Sequence, residues 1–222
     1  MKRTVIIGTP SYDGKLEAHF VSALIDACKL AQEEEINLVP IFLSYDALVQ
    51  RARNDLVALA LKYKVESLIF IDQDIVFEPE WILKLIASDK HVVGGIYRKK
   101  TDEQELYPVK LKEIEIQQDG TISVDGLATG FLKLSNKALS MLWEASPIYS
   151  NEGKESRMVF NVGIVEGSLY SEDNMMCEKL KKLGFKIWLD PTMCCGHIGP
   201  KIFKGNFVKY LELFPTKNKI LL

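Results

Sequence analysis

The segment ESLIFIDQDIVFEPEW, residues 66–81, leads a short apolar run into two carboxylates, Asp72 and Asp74, with one residue between them. The run SLIFI predicts a buried strand, and acids that follow such a strand lie at the edge of an open α/β sheet, where ligands collect. Residues i and i+2 of an extended segment point the same way, so both carboxylates can reach one hard cation. The structural alternative puts Asp74 in a turn and makes Asp72 a cap of the strand end.

Short runs of branched apolar residues alternate with segments of helical periodicity on both sides of this strand. Further strands are predicted at residues 5–8, 38–43 and 91–97, and helices at 15–31, at 47–63 with Ser44 or Asp46 as its cap, and from Pro79 onward. This alternation is typical of a mostly parallel sheet that is covered by helices on both faces. The first half of the chain is therefore predicted to be α/β.

The second half has a different pattern, because an Asp-Gly turn signal separates two strand-like runs within residues 112–124. This arrangement predicts an added hairpin instead of a crossover, so the sheet becomes mixed. The other predicted elements are a strand at 130–135, a helix at 136–144, a mobile polar loop at 151–157, a helix at 173–183 and a strand at 185–191. No linker is recognisable, and a single domain is predicted.

The charge balance argues against a polyanionic partner. The chain of 222 residues contains 28 Lys and Arg against 30 Asp and Glu, a formal net charge of -2, so no nucleic-acid partner is expected. The four cysteines are scattered or adjacent, which favours reduced thiols in a cytoplasmic compartment. Apolar stretches stay well below the ~20 residues of a membrane-spanning helix, and the N-terminal one is too short for a signal peptide, so membrane insertion is not expected.

Two enzyme families place a pair of acids behind a buried strand in this way. The stretch IFIDQDIV, residues 69–76, resembles the signature of haloacid-dehalogenase-like phosphatases, including its last residue Val76. In that family the acids end the first strand of the core, whereas two strand-helix units precede them here. The family's second-strand Thr or Ser and its later Asp-Asp strand end are also missing in the expected order. A phosphohydrolase is therefore kept as the alternative function.

The second family is the GT-A glycosyltransferases, and this resemblance covers most of the chain. Their Asp-x-Asp motif follows the third or fourth strand of a nucleotide-binding half. Five further fragments resemble the family's motifs in the family's order: GTPSYDG (8–14), RARN (51–54), GLATGFLKLS (126–135), SEDN (171–174) and GHIG (196–199). The resemblance implies one GT-A-like domain over residues 1–222, a three-layer α/β/α sandwich. Residues 1–98 would form its nucleotide-binding half and residues 99–222 its acceptor-side half, complete or as a module of a longer chain.

The activity that this resemblance implies is metal-dependent transfer of a hexosyl or deoxyhexosyl group from a UDP-sugar to a glycan or glycoprotein. Asp72, Asp74 and His197 are implied to hold Mn²⁺ or Mg²⁺. Asp173 is implied to be the general base if configuration is inverted, or to orient an acceptor hydroxyl if it is retained. The residues implied to bind substrates are Thr9, Pro10, Tyr12, Asp13, Arg53, Asp72, Gln73, Gly130, Glu172 and Lys201. Small enzymes of this kind occur in bacteriophages and large viruses, for which the location would be the host cytoplasm.

These residues also have structural interpretations. Arg51 and Arg53 lie on different sides of the predicted helix, so only one of them needs to be functional. Glu172 and Asp173 can complement the positive end of the following helix, which is worth ~0.3–1 kcal/mol. His197 lies between glycines that let the backbone approach a ligand, but a lone histidine often has a structural role. A nucleotide-sugar binding module without activity is therefore a third hypothesis.

Overall fold

The computed structural model describes residues 3–111, 114–151 and 153–214. The strands are β1 Thr4–Ser11, β2 Asn37–Ser44, β3 Ser67–Ile71, β4 Ile75–Val76, β5 Val92–Tyr97, β6 Val109–Lys110, β7 Ile122–Val124, β8 Gly126–Leu127, β9 Phe131–Ser135, β10 Ile148–Asn151, β11 Lys154–Arg157, β12 Gly163–Val165, β13 Ser168–Tyr170, β14 Ile187–Ile198 and β15 Ile202–Phe203. The helices are α1 Ala18–Glu33, α2 Val49–Lys62, α3 Pro79–Ala87, α4 Asn136–Ala145, α5 Glu172–Lys182 and α6 Phe207–Leu211.

The main sheet is mixed, because it contains both parallel and antiparallel strand pairs. Its order is β15-β14-β5-β9-β3-β1-β2, with β4 and β7 also paired to β14. β1 is parallel to β2 and β3, and β5 is parallel to β14, whereas β9 is antiparallel to both β3 and β5. The predicted fold class, a GT-A-like α/β fold with a mostly parallel mixed sheet, is confirmed.

Helices cover both faces of this sheet and form two hydrophobic cores. Successive residues of a strand point to opposite faces, so a strand that is apolar throughout supplies both cores at once. In β3, Leu68 and Phe70 pack into the core under α2, α4 and α5, whereas Ile69 and Ile71 pack into the core under α1 and α3. The predicted three-layer arrangement follows from this pattern.

The segment 151–157 differs from its prediction. Its polar composition predicts a mobile loop, but β10 and β11 form an antiparallel hairpin in which Ile148 pairs with Arg157 and Asn151 with Lys154. Gly153 has a φ of 80° within the turn between the two strands, a conformation that glycine adopts without strain. The prediction was wrong because the backbone pairing of a tight hairpin does not depend on apolar side chains.

Two other predicted elements are present with different boundaries. The Asp119–Gly120 turn forms, with Gln117 N–H donating to the Thr121 carbonyl, but the second arm β7 pairs with β14 and joins the main sheet. Residues 112 and 113 of the predicted hairpin lie outside the described residues. The last predicted strand, 185–191, extends as β14 to Ile198 through an irregular register between Leu189 and Cys194.

One edge of the sheet collects the loops that carry the predicted site residues. The parallel strands β1, β2, β3, β5 and β14 all end at this edge, and the antiparallel β9 begins there, with Phe131 paired to Ile71. Polar loops at such an edge form the crevice in which α/β proteins bind ligands. Within the described residues, none of the helices has the length and apolar composition needed to cross a membrane.

Candidate active site

Arg53 is the buried centre of a group of charged side chains, called here the Arg53 cluster, which also contains the partly exposed Asp72, Glu172 and Asp173. The Arg53 side chain is only 4% exposed. Its Nη1 donates to Glu172 Oε1 at 2.7 Å and to Asp173 Oδ1 at 2.9 Å, and its Nη2 donates to Asp72 Oδ1 at 3.0 Å. One guanidinium therefore joins α2, the end of β3 and the start of α5, and it faces three carboxylates, which leaves the cluster negative.

The charges of the cluster are coupled. Burial lowers the pKa of the Arg53 guanidinium, but Asp72, Asp173 and Glu172 outweigh burial and raise that pKa, so the arginine stays charged. The Arg53 guanidinium lies over the Phe160 ring, with 5.8 Å between the Arg53 Cζ and the ring centroid. Arg53 is thus the functional candidate of the two arginines, since the other, Arg51, forms a bidentate pair with Asp46.

Asp173 is held through one oxygen only. Its Oδ1 accepts hydrogen bonds from Arg53 and from the Thr129 hydroxyl, while its Oδ2 accepts none from any residue that the structure describes. Burial raises the pKa of Asp173 above its ordinary value, although Arg53 and Thr129 act in the opposite direction. A carboxylate that is fixed through one oxygen and more basic than usual is suited to accept a proton through the other.

Asp74 lies on the other side of the turn and has different partners. Its Oδ2 accepts a hydrogen bond from Lys100 and lies 3.4 Å from His197 Nε2. Burial raises the pKa of Asp74, but the contacts with His197 and Lys100 outweigh burial and lower it. The pairing of β4 with β14, with Ile75 opposite His197, positions these residues.

The side chains of Asp72 and Asp74 contact different residues, which the predicted strand-like arrangement does not anticipate. The strand β3 ends at Ile71, and the chain then turns, with the Ile75 N–H donating to the Asp72 carbonyl at 3.1 Å. The alternation of an extended strand therefore does not apply to these two acids. As a result, Asp72 faces Arg53, whereas Asp74 faces Lys100 and His197.

The fit of a divalent cation depends on the contact between Asp74 and His197. The His197 Nδ1 lies 3.0 Å from the Arg98 carbonyl, which can only accept, so Nδ1 carries a hydrogen and Nε2 is the ring nitrogen that faces Asp74. A carbonyl partner of this kind is the usual support of a metal-binding histidine. Among the described residues, however, no group of three or more His, Cys, Asp or Glu side chains is arranged to hold a metal. The pair Asp74 and His197 fits a cation. Asp72 contacts Arg53 instead and does not complete the predicted set of three ligands.

Two cavities meet the Arg53 cluster at the sheet edge. The first, of about 280 Å³, is called here the β1 cavity and is lined by Pro10, Tyr12, Asp46, Ala47, Val49, Asp72, Gln73 and Asp74. The second, of about 290 Å³, is called here the α5 cavity and is lined by Lys99, Tyr107, Pro108, Val109, Lys110, Ala128, Ser171, Asp173 and Asn174. Asp72 lines the β1 cavity and Asp173 lines the α5 cavity, so Arg53 is hydrogen-bonded to one lining residue of each cavity.

The predicted nucleotide-binding residues have different environments around the β1 cavity. Tyr12 is 70% exposed and can cover a ligand with its ring, whereas Asp13 is turned aside and pairs with Lys15 at 3.2 Å. Thr9 is fully buried. Neither the Thr9 hydroxyl nor Gln73 Oε1 has a hydrogen-bond partner in the described part of the chain, although both atoms are buried. Buried polar atoms are normally paired, so the lack of a described partner at both atoms is unusual.

Lys201 is not brought to Asp74. Its amine pairs with Asp102 and lies 5.1 Å from the centroid of the Phe203 ring. The cation that contacts Asp74 is instead Lys100, which follows β5 in the run YRKK (97–100). The predicted role of Lys201 on phosphates remains a prediction.

Three polar residues that support the site were not predicted, and two of them, Asn54 and Thr129, are buried. The side chain of Asn54 bonds in both directions with the backbone of Phe160, donating at 3.2 Å and accepting at 2.7 Å. Lys179 donates to the Val159 carbonyl and to Asn161 Oδ1, and Thr129 holds Asp173. The sequence contains one sign of this support, because Asn54 is a polar residue next to Arg53 on a helix face that is otherwise apolar.

Gly130 has no room for a side chain. A Cβ at this position would lie 2.7 Å from the Tyr97 hydroxyl and 2.9 Å from Asp72 Oδ2. We expect Gly130→Ala to reduce the free energy of unfolding by ~1–3 kcal/mol, the usual cost of overpacking. Chemical denaturation measures this loss. Gly126→Ala is the matched control, because its Cβ would meet nothing closer than Asn174 Oδ1 at 3.1 Å, and a loss in the control as large as in Gly130→Ala would contradict the prediction.

Comparison with known proteins finds likeness in structure only. The chain matches no protein-family profile and no curated protein. It is similar to A197 from STIV, with a TM-score of 0.57 and 18% identity over 89% of this chain and 86% of that chain. Weaker similarity extends to a glycosyltransferase involved in the glycosylation of the major capsid of PBCV-1, with a TM-score of 0.36 and 10% identity over 64% of this chain and 66% of that chain. The inositol-1-phosphate CTP transferase from T. maritima gives a TM-score of 0.42 and 11% identity over 87% and 85%. The TM-scores of the last two structures are too low to establish a common fold with them. The TM-score of 0.57 shows that this chain shares its overall fold with A197 from STIV.

Proposed function

We propose that the protein is a glycosyltransferase that moves a sugar from a UDP-sugar donor to a glycan or glycoprotein acceptor. The observation that carries this proposal is the position of the Arg53 cluster between two cavities at the carboxyl edge of the sheet. One cavity has the exposed ring and unpaired amide oxygen that a nucleoside requires. The other contains a carboxylate, Asp173, with one oxygen available for a hydroxyl group.

The β1 cavity is assigned to the nucleotide. Its volume of about 280 Å³ is near the lower end of the ~300–1,000 Å³ of ligand pockets, which suits a pyrimidine better than a purine. The Tyr12 ring is placed to cover the base, and Gln73 Oε1 to accept from a base N–H or a ribose hydroxyl. The pyrophosphate then extends toward Asp74, Lys100 and His197.

The chemical step is assigned to Asp173. The acceptor oxygen attacks the anomeric carbon while the bond from that carbon to the phosphate oxygen breaks, and its electron pair leaves with the nucleoside diphosphate. Asp173 Oδ2 takes the proton of the attacking hydroxyl, while Arg53 and Thr129 hold Oδ1 in place. Mn²⁺ or Mg²⁺ held by Asp74 and His197 would act as a Lewis acid that stabilises the charge of the leaving diphosphate. If the reaction retains configuration, Asp173 orients the hydroxyl instead.

The phosphohydrolase alternative requires a free nucleophilic carboxylate at Asp72. Both oxygens of Asp72 accept hydrogen bonds from Arg53, at 3.0 and 3.2 Å, which disfavours attack on a phosphate. Hydrolysis of a generic aryl phosphate in Mg²⁺, at a rate that Asp72→Asn abolishes, would favour the phosphohydrolase over the transferase.

The test of the donor site is calorimetric titration with UDP and GDP, each with and without Mn²⁺. We expect UDP to bind only with the metal, and Asp74→Asn to abolish this binding while the melting temperature stays close to that of the wild type. Asp26→Asn is the matched control, because Asp26 is an exposed acid that pairs with Lys29 on α1. Unchanged affinity of Asp74→Asn for UDP in Mn²⁺ would contradict the role of Asp74.

A further inference from the structure

The α5 cavity is lined by two lysines that are not balanced by direct ion pairs with described residues. Lys99 and Lys110 line it, and within the described ranges neither lysine forms an ion pair with a carboxylate. Other lysines near this edge are paired, since Lys100 contacts Asp74 and Lys201 contacts Asp102. The acid in the cavity, Asp173, is already held by Arg53 and Thr129, so the two lysine amines are available to a ligand.

Lys110 is part of a packed structure and not a free surface side chain. Its Nζ lies 3.5 Å from the centroid of the Tyr170 ring, a cation–π contact. Its stem passes over Gly126, where a Cβ would lie 3.4 Å from Lys110 Cδ and 3.1 Å from Asn174 Oδ1. Because Tyr170 ends β13 just before α5, Lys110 is fixed relative to the segment that carries Asp173.

The hydroxyl of Ser171 adds a third donor. The Asn174 side chain donates to Ser171 Oγ at 3.0 Å, so the hydroxyl oxygen is used as an acceptor and its hydrogen remains to donate into the cavity. Two lysines and a serine with a free hydroxyl hydrogen thus line the cavity that Asp173 also lines. Groups that can only donate are best satisfied by an anion with several acceptor oxygens.

We propose that the α5 cavity binds an anionic group, a phosphate or a carboxylate, on the acceptor close to the hydroxyl that is attacked. This inference rests on the proposed function, because it assigns the α5 cavity to the acceptor. Lys99 and Lys110 hold the anion, and this contact places the neighbouring hydroxyl at Asp173. The acceptor is therefore a phosphorylated sugar or a uronic acid, and a neutral sugar is a poor ligand.

The test uses the full chain saturated with UDP and Mn²⁺ and titrated with glucose 6-phosphate, glucuronate and glucose. We expect at least one of the two anions to bind at least ~10-fold more tightly than glucose, the minimum for charge-assisted hydrogen bonds. The anion that binds more tightly identifies the source of the charge. The double variant Lys99→Gln/Lys110→Gln should remove this preference. The matched control is Lys182→Gln/Lys186→Gln, which changes the net charge equally at the last residue of α5 and in the segment after it, and should keep the preference.

Two results would overturn the inference. One is equal affinity for glucose and both anions, and the other is unchanged anion binding in the Lys99→Gln/Lys110→Gln variant. UDP binding is measured first in the same samples, so that failure of the donor site is recognised separately. A chain that binds UDP but does not prefer anions keeps the proposed function and loses the anionic acceptor. A chain that binds anionic sugars through the two lysines but not UDP loses the proposed function and keeps an anion site.

Discussion

Replacing Asp173 by asparagine is expected to slow sugar transfer by at least ~10²-fold, the lower end of the contribution of a general base. The amide cannot take the proton of the acceptor hydroxyl, but its oxygen can still accept from Arg53 and Thr129. The melting temperature and the affinity for UDP should change little. The Arg53 cluster has more carboxylates than its one guanidinium balances, so loss of one negative charge relieves repulsion.

The pH dependence of the rate provides an independent check of this base. Burial raises the pKa of Asp173, and a base works only when it is deprotonated. The rate should therefore fall as the pH decreases through a value above the ~3.9 of an exposed aspartate. Glu178→Gln is the matched control, because Glu178 lies on the same helix and pairs with Lys181 away from the cluster. Near-normal transfer by Asp173→Asn would show that Asp173 is not the base.

The sequence was sufficient to predict the architecture because the first half of the chain repeats one physical pattern. A strand such as SLIFI that is apolar throughout must be buried on both faces, and the helical segments around it supply the covering layers. The pattern does not extend to residues 151–157. The polar side chains of β10 and β11 gave no sign of a hairpin, because this hairpin is formed by backbone pairing.

The Arg53 cluster could be predicted only in part. The motif resemblance selected Arg53, Asp72, Glu172 and Asp173 individually, but Arg53 lies 119 residues from Glu172 in the chain, and no local spacing indicates that they meet. Asp72 and Asp74 were assigned to one cation because the residues after the predicted strand were treated as extended, and the sequence does not reveal that the chain turns there. Side-chain partners after a strand end depend on the turn, and the turn is fixed by contacts from distant segments such as β14.

The largest effect on stability is expected from Arg53→Met. This variant keeps most of the side-chain volume but leaves Asp72, Glu172 and Asp173 without their shared cation. Removing one partner of a buried ion pair costs about 3–5 kcal/mol, and the lower end applies here because the three remaining carboxylates are 17–26% exposed. We expect a loss of this size in the free energy of unfolding at pH 7, measured by chemical denaturation. Arg51→Met is the matched control on the same helix, since its partly exposed pair with Asp46 is worth at most about 1 kcal/mol.

Acidification should then partly restore the stability of Arg53→Met. Without the guanidinium, Asp173 loses a contact that lowers its pKa, so the pKa of this carboxyl in the folded state rises further above the ~3.9 of the unfolded chain. Between the unfolded and the folded pKa of Asp173, the folded variant binds more protons than the unfolded chain, so its free energy of unfolding increases as the pH decreases. The difference from the wild type should therefore narrow between pH 7 and about pH 5. A constant difference over this range would mean that the loss comes from packing against Phe160 and not from uncompensated charge.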